Sequence, residues 1–567
     1  MKIMRRVFGL TLAGVFYGAI AATVMGVAAE SQAAGGRAFE VRFDEGARAA
    51  PATGRLVVYL IAPGAKLPRV TSPGDGPFFQ DPQPMYGIDV RDWTPGTVAT
   101  VDDAATGFPV ELSKLPPGDY RAQAVLDMSR ADSSWQREPG NLYSTVVPVT
   151  ISPAGLRGTD GQPVTLTLSK VVEKRKASRV NGAAGNDDFV GAGGAEIFEV
   201  KSELLSKFRG KDVMLRAGVV YPMGFDPTHS TKKYPAIYSI PGFGDDEAGA
   251  LSLAQRRRDG MRPGPRADLA QAAFDIVLGP ESPNGHTLFA DSDNNGPVGE
   301  ALVKELIPAL EKKYPLIAEA SARLVTGHSS GGWSSLWVQL NYPDTFGGCW
   351  SSSPDPVDFR RFQLVDIYRD SNFYRKDGKD EDTPSYRSQG ESKMTIRQEN
   401  RMEEVIAPCN GSGQQWDSWA AVFGPRNEDG KPAMLYDPQT GEIDHKIAEK
   451  YRRYDVAELL RHNPATYGPI FREKVRLIVG GEDSFYLNEA VELLQETLKE
   501  VSPQVTLEVL PGYIKIVPGT DHGSVMGSNE ARAFPAEMLE ALRKAGHIPP
   551  EANVAPAGAD GAGSKHP

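Results

Sequence analysis

The chain has 567 residues, several times the span of one compact domain, so more than one hydrophobic core is expected. Its composition, 40% hydrophobic and 24% charged with 59 Gly and 44 Pro, is typical of a globular protein rich in turns and excludes a coiled coil, a collagen and a disordered chain. The formal net charge of −11 gives no general attraction to phosphate backbones, so no nucleic acid partner is expected.

The first segment has the pattern of an export signal. Lys2, Arg5 and Arg6 precede an apolar stretch, residues 7–27, that ends in small residues suited to cleavage. We therefore expect a signal peptide over residues 1–29, a periplasmic or secreted protein, and no stable membrane insertion after cleavage. An uncleaved membrane anchor is the alternative.

Residues 37–172 alternate short β-branched runs, such as Gly54 to Ile61, with clusters of Gly, Pro and Asp. This pattern predicts an all-β sandwich domain. An immunoglobulin-like sandwich is favoured, because Tyr120 follows a turn and could bond its hydroxyl back to a loop. The region has no His and no Cys, so we expect no nucleophilic or metal chemistry there.

Residues 173–196 are poor in hydrophobic side chains and rich in Gly and Ala, which predicts a flexible linker. From 197 to 547, apolar strand-like runs alternate with helical segments, and this alternation predicts an α/β domain built on a parallel sheet. Residues 548–567 are rich in Pro, Ala and Gly, which predicts a disordered tail.

The most informative motif is Gly327-His328-Ser329-Ser330-Gly331, directly after the strand-like run 323–326. A Gly-x-Ser-x-Gly sequence between a buried strand and a helix is typical of a nucleophile elbow, a sharp turn that lifts the Ser hydroxyl clear of the backbone. Ser330 is a competing hydroxyl, but only Ser329 has glycines at both required positions. We therefore predict Ser329 as a nucleophile.

A Ser nucleophile needs a basic imidazole that a carboxylate orients, and in this fold the order along the chain is Ser, acid, His. His522 is the His best placed after the last strand-like run, Val505 to Leu510. The run Val475 to Val479 ends in Gly480-Gly481-Glu482-Asp483, and Asp483 is the preferred acid because its short carboxylate suits a tight loop. Glu482 remains a competitor.

An oxyanion intermediate needs backbone N–H donors held in place beforehand. The amide of Ser330 is one candidate because it follows the nucleophile. The glycine-rich loop after the run Pro235 to Ile240 offers the second, from Phe243 or Gly244.

No metal and no cofactor is predicted. The stretch Asp291 to Gly296 begins like a calcium-binding loop, but Leu302 stands where the bidentate Glu would be needed. The start of a helix is the better interpretation, with Pro297 in its first turn. The two cysteines, Cys349 and Cys409, either form a disulfide after export or are separate thiols.

Residues 200–545 resemble the esterase D-like "putative esterase" branch of the α/β-hydrolases, which includes feruloyl esterases, enterochelin esterases and mycolyltransferases. The motifs that carry the resemblance are Ile240-Pro241-Gly242-Phe243-Gly244, Glu305-Leu306-Ile307-Pro308, Gly327-His328-Ser329-Ser330-Gly331-Gly332, Ser353-Pro354-Asp355-Pro356 and Gly519-Thr520-Asp521-His522-Gly523. The resemblance implies Ser329 as nucleophile, His522 as base, Asp483 as acid and a backbone oxyanion hole.

The chain departs from this resemblance in a long insertion, residues 359–470. A loop of this length in a compact domain is usually functional or disordered, and its aromatic residues favour an ordered cap over the active site. Trp416 and Trp419 share a face if their turn is helical, so both are candidates for the substrate pocket. A surface segment with its own small core is the alternative.

The sequence therefore predicts an exported serine esterase that acts on a small-molecule or glycan-linked ester through an acyl-enzyme. Two other interpretations stay open. The same triad could serve an acyltransferase or a serine peptidase, or the chain could be a binding protein with an inert hydrolase scaffold. The fold alone does not select the ester.

Overall fold

The computed structural model describes residues 37–550, except for 69, 130–131, 175–178, 181–189, 227–230, 377 and 502–510. The predicted signal peptide, most of the predicted linker, the run Val505 to Leu510 and nearly all of the predicted tail lie outside the described residues. Within the described residues, no helix combines the length and the apolar character needed to cross a bilayer.

The N-terminal region is all β, as predicted. Its strands are β1 (Phe39–Phe43), β2 (Ala52–Ile61), β3 (Met85–Trp93), β4 (Ala99–Val101), β5 (Thr106–Phe108), β6 (Gly118–Asp127), β7 (Leu142–Ser144), β8 (Val147–Ser152), β9 (Gly155–Gly158) and β10 (Thr165–Val171). They form one hydrogen-bonded sheet in the order β4-β1-β10-β7-β6-β2-β3-β5, and β6 also pairs with β8, which pairs with β9. The Tyr120 hydroxyl donates to the Pro116 carbonyl at 2.9 Å, the local contact that the sequence predicts.

Strands in the rest of the chain belong to a second sheet and three hairpins. They are β11 (Arg179–Val180), β12 (Ala195–Lys201), β13 (Met214–Val220), β14 (Ala236–Ile240), β15 (Phe274–Leu278), β16 (Glu281–Ser282), β17 (Gly285–His286), β18 (Asp291–Ser292), β19 (Gly296–Pro297), β20 (Arg323–His328), β21 (Gly348–Ser352), β22 (Pro384–Ser388), β23 (Glu391–Thr395), β24 (Val475–Gly480) and β25 (Tyr513–Val517). The sheet has the order β11-β12-β13-β15-β14-β20-β21-β24-β25, and the hairpins are β16-β17, β18-β19 and β22-β23.

Helices flank this second sheet and also occur in the insertion. They are α1 (Glu203–Arg209), α2 (Gly249–Arg258), α3 (Pro265–Ala272), α4 (Val298–Ala301), α5 (Ile307–Lys313), α6 (Ser330–Asn341), α7 (Ile396–Ile406), α8 (Gln415–Phe423), α9 (His445–Tyr451), α10 (Val456–His462), α11 (Pro464–Lys474), α12 (Leu487–Val501) and α13 (Asn529–Lys544). A π-helical turn, Leu302–Leu306, joins α4 to α5.

The second sheet is mixed rather than parallel throughout, which corrects the prediction of a parallel sheet. Its six strands from β15 to β25 run parallel, whereas β11, β12 and β13 pair antiparallel at one edge. The short connection through α1 allows β12 and β13 to pair as neighbours, because antiparallel strands need no long crossover. Arg179, Val180, Ala195 and Glu196, which the sequence predicts to be linker, lie in strands of this sheet.

The described residues of the insertion pack partly into the main core and partly against the N-terminal region, where Met402 and Val405 share a cluster with Tyr59. Phe362, Trp419 and Phe423 are almost fully buried and belong to the same hydrophobic cluster as the sheet residues Tyr238 and Val325. The two cysteines are both free thiols, with Cys349 buried in β21 and Cys409 exposed.

Candidate active site

Ser329 lies in a strained turn between β20 and α6. Its backbone dihedrals are φ 59° and ψ −128°, a conformation that residues with a side chain rarely adopt. Strain of this kind is found at functional sites where the surrounding structure holds it in place. The Ser329 amide donates to the Ser352 carbonyl at 3.0 Å, and this bond fixes the turn to β21.

Close backbone approach explains the glycines of the motif. A Cβ on Gly327 would lie 2.0 Å from the Gly331 carbonyl oxygen, and a Cβ on Gly331 would lie 2.0 Å from the Ile240 carbonyl oxygen. Real Cβ contacts are never this short, so each position needs Gly. The N-terminal turn of α6 therefore packs directly against the end of β14, the strand that precedes the loop containing Phe243.

The structure pairs His522 with Asp483. His522 Nδ1 lies 2.8 Å from Asp483 Oδ2, and the carboxylate is fully buried. The second oxygen, Asp483 Oδ1, accepts the amide of Phe485 at 2.9 Å. Glu482, the competing acid, is exposed. Since a carboxylate accepts at Nδ1, that nitrogen carries the proton and Nε2 is left as the basic atom.

The local field favours a protonated His522. Burial lowers the pKa of the imidazole, but the charge of Asp483 and its hydrogen bond outweigh burial, with a further contribution from Asp355, so the net pKa lies above 6.5. His328 has the opposite shift. Burial and the charge of His522, whose ring centroid lies 4.6 Å away, lower the pKa of His328 to about 4.

The loop after β14 forms a tight turn against Ser329. The Asp245 amide donates to the Gly242 carbonyl at 3.2 Å, and Gly244 has φ +86°, which favours glycine at this position of the turn. A Cβ on Gly242 would lie 3.5 Å from Ser329 Cβ. On the other side of Ser329, Ser330 is the first residue of α6, where a backbone N–H has no acceptor within the helix.

The predicted nucleophile and base open onto one cavity of about 480 Å³. Ser329, His522 and Phe243 contribute to its wall, as does Trp419 from the insertion. The structure therefore brings the predicted nucleophile, base and oxyanion loop to one space, with Asp483 buried behind His522. Trp416 does not line this cavity; it packs edge-on against Trp419 with ring centroids 4.9 Å apart.

Besides Asp245 of the loop after β14, two more carboxyl groups line the cavity that were not predicted as site residues. Asp355 accepts Trp419 Nε1 at 2.8 Å, and burial raises its pKa to about 6 despite the donors Trp419 and Ser330. Glu399, on α7, is 3% exposed, and burial raises its pKa to about 7. Among the described residues that line the cavity there is no Lys or Arg.

The sequence also did not predict the contribution of the N-terminal region. Phe79 lines the cavity and packs edge-on against Phe485, which in turn packs edge-on against His522 at 4.9 Å between centroids. His286, excluded as a base by its position before Ser329, instead bonds the Pro241 carbonyl through Nε2 at 3.0 Å. A motif search could not find either residue, because both act through contacts that only the folded chain makes.

Residues 293–545 match the family described as "Putative esterase". This region includes Ser329, Asp483 and His522, and it contains the parallel strands β20, β21, β24 and β25 with helices α6 to α13. No curated protein matches the sequence of this chain.

Many solved structures are similar to the chain, including these three. An S-formylglutathione hydrolase from Agrobacterium tumefaciens is 12% identical with a TM-score of 0.35, covering 64% of this chain and 99% of that one. A ferulic acid esterase from Anaeromyces mucronatus, in complex with ferulic acid, is 14% identical with a TM-score of 0.29, covering 65% and 97%. A feruloyl esterase module from Clostridium thermocellum, complexed with sinapinate, is 14% identical with a TM-score of 0.31, covering 64% and 95%.

Proposed function

We propose that this chain, whose residues 293–545 match the esterase family, is a serine carboxylic ester hydrolase that works through an acyl-enzyme. The observation that carries the proposal is the shared cavity wall of Ser329 and His522, with His522 held by a buried carboxylate at 2.8 Å. In this arrangement the imidazole is oriented, and the hydroxyl is presented on a strained turn.

In the proposed reaction, Ser329 Oγ attacks the ester carbonyl carbon while His522 Nε2 takes the hydroxyl proton. The amide of Ser330 and that of Phe243 or Gly244 donate to the oxyanion that forms. His522 then gives the proton to the departing alcohol, which leaves an acyl ester on Ser329. Water attacks this ester, passes a proton to His522, and the carboxylic acid departs as the proton returns to Ser329.

The acidic residues of the cavity restrict the charge of the acyl groups that we expect it to accept. Asp355 and Glu399 line the cavity and ionise as pH rises through about 6 and about 7. With no Lys or Arg among the described lining residues, the ionised carboxylates outnumber the single cation that His522 provides when protonated, so an anionic group near the ester carbonyl is disfavoured. We therefore expect esters of uncharged or cationic acids to be better substrates than esters of dicarboxylic acids.

The experiment that tests the proposal is a panel of p-nitrophenyl acyl esters, feruloyl esters and acetylated glycans, assayed with wild type and Ser329→Ala. We expect hydrolysis of at least one uncharged ester by wild type and none above background by Ser329→Ala. Equal rates in the two proteins would refute the proposal. Adding an alcohol acceptor separates hydrolysis from acyl transfer, since a transferase would form a new ester.

The pattern over residues 1–29 supports the further proposal that the protein is exported to the periplasm or secreted. Expression of the full chain in a bacterial host, followed by fractionation and N-terminal sequencing, tests it. An intact N-terminus on cytoplasmic protein would contradict export.

We also propose that the N-terminal region is an immunoglobulin-like sandwich, and the hydrogen bond from the Tyr120 hydroxyl to the Pro116 carbonyl supports this.

A further inference from the structure

One arginine of the N-terminal region, Arg137, reaches across to the loop beside Ser329. Its Nη1 donates to the Gly244 carbonyl oxygen at 2.5 Å, although the two residues are 107 positions apart in the sequence. The Arg137 side chain is 12% exposed, whereas Gly244 lies at the surface, so a largely buried arginine reaches an exposed loop. Gly244 belongs to the turn that we propose as one side of the oxyanion hole.

Acidic residues from both parts of the chain fix the guanidinium. Asp132 accepts from Arg137 Nε at 2.8 Å and from its Nη2. The carboxylates of Asp246 and Glu281 lie 3.7 Å and 3.8 Å away. A change of the Arg137 rotamer is costly, because it would break the ion pairs of the guanidinium with these partly buried carboxylates.

The loop is thus held at two carbonyls. His286 bonds the carbonyl of Pro241, at the start of the loop, and Arg137 bonds the carbonyl of Gly244, near its end. Between them lie the amides of Phe243 and Gly244, the candidate donors to the oxyanion. A misplacement of about 1 Å in such donors can cost about a hundredfold in rate, so the fixing of this turn matters to the chemistry.

We propose that Arg137 is a positioning residue that holds the oxyanion loop, and that the N-terminal region therefore completes the catalytic site. This inference rests on the proposed esterase activity. Arg137 does not line the cavity with Ser329, so it acts through the Gly244 backbone and not by contact with substrate. Its role should show in stabilisation of the transition state and not in binding of the ground state.

The test compares Arg137→Met with a matched control, Arg55→Met. Arg55 also joins the two parts of the chain, donating from Nε to the Val405 carbonyl at 2.9 Å, but this contact is with α7 and not with the oxyanion loop. We expect Arg137→Met to lower kcat by about 10- to 100-fold with little change in KM, and to weaken binding of a trifluoromethyl ketone by a similar factor. Arg137→Lys should recover part of kcat.

The control variant should retain wild-type kcat at temperatures where it is folded, even if its Tm falls. Equal kcat in Arg137→Met and wild type, or equal losses in Arg137→Met and Arg55→Met at matched folded fractions, would overturn the positioning role. If Arg137→Met does not fold, Arg137→Lys alone decides: a lower kcat at unchanged KM supports the role, and unchanged kcat overturns it. Wild type without esterase activity would instead refute the proposed function itself.

Discussion

The two walls of the cavity differ in how they are built. The reactive wall comes from loops at the ends of parallel strands, which carry Ser329 after β20, Asp483 after β24 and His522 after β25. The second wall comes from distant segments, with Phe79 from the N-terminal region and Trp419 from the insertion. The first wall supplies the chemistry, and the second shapes the space in front of it.

The two walls therefore differ in how readily the sequence reveals their residues. Residues of the reactive wall are fixed by local constraints, such as a turn that needs Gly327 and Gly331, and so they leave motifs in the sequence. Residues of the shaping wall depend on how remote segments pack: Phe79 leaves no motif, and Trp419 is marked only as one aromatic residue of the insertion. Variants on the reactive wall should therefore abolish turnover, whereas variants on the shaping wall should change which ester is preferred.

The largest effect is expected on the reactive wall. Asp483→Asn should lower kcat by about 10³- to 10⁴-fold, because the amide no longer holds the tautomer with Nε2 free. Glu482→Gln is the matched control, because Glu482 is next to Asp483 but its carboxylate is exposed. This variant should have a kcat within about twofold of wild type. Steady-state kinetics on one p-nitrophenyl ester measure both. A larger loss in Glu482→Gln than in Asp483→Asn would reverse the assignment.

The acidic lining of the cavity predicts discrimination by charge. At pH 8, kcat/KM for a butyryl ester should exceed that for the corresponding hemisuccinyl ester by about tenfold or more, because Asp355 and Glu399 are then ionised. The ratio should shrink as pH falls through about 7 and about 6, and the common dependence on His522 cancels in it. The double variant Asp355→Asn with Glu399→Gln should abolish the pH dependence of the ratio. A constant ratio in wild type would rule out this source of specificity.

A smaller effect is expected for Trp419→Phe, which keeps an aromatic wall but removes the N–H donor to Asp355. KM should rise by about 3- to 10-fold with kcat nearly unchanged, as Asp355 loses its fixed position in the pocket. Trp416→Phe is the control, because Trp416 lies behind Trp419 and does not line the cavity. Equal changes in KM for both variants would indicate a general loosening of α8.

The smallest expected change is the position of the pH profile. The base acts when neutral, so activity is lost as pH falls through its pKa, and the raised pKa of His522 places this loss above pH 6.5. The plot of kcat/KM against pH for a neutral ester measures it. If activity were half-lost only well below pH 6.5, the charge of Asp483 would not outweigh the effect of burial on the pKa of His522.

Strongly patterned elements were predictable from the sequence. The run Pro235 to Ile240 forms the strand Ala236–Ile240, and the run Val475 to Val479 forms the strand Val475–Gly480, because both are apolar over most of their length. The strand before His522 was less evident. It is Tyr513–Val517, at the edge of the sheet, where an exposed Lys515 interrupts the apolar pattern.

The contribution of the N-terminal region could not be predicted at all. The absence of His and Cys there argues against a nucleophile or base, but it carries no information about Phe79 or Arg137. Both act across interfaces between segments far apart in the sequence, as the bond from Arg137 to Gly244 illustrates. Only the packing of the folded chain makes such contacts visible.

The most direct test of the central claim is covalent labelling of the nucleophile. Wild type is treated with a fluorophosphonate, digested and mapped by mass spectrometry. The account predicts one stoichiometric adduct on Ser329, formed much more slowly in His522→Gln and absent in Ser329→Ala. An adduct on Ser330, or labelling of Ser329→Ala at the wild-type rate, would contradict it.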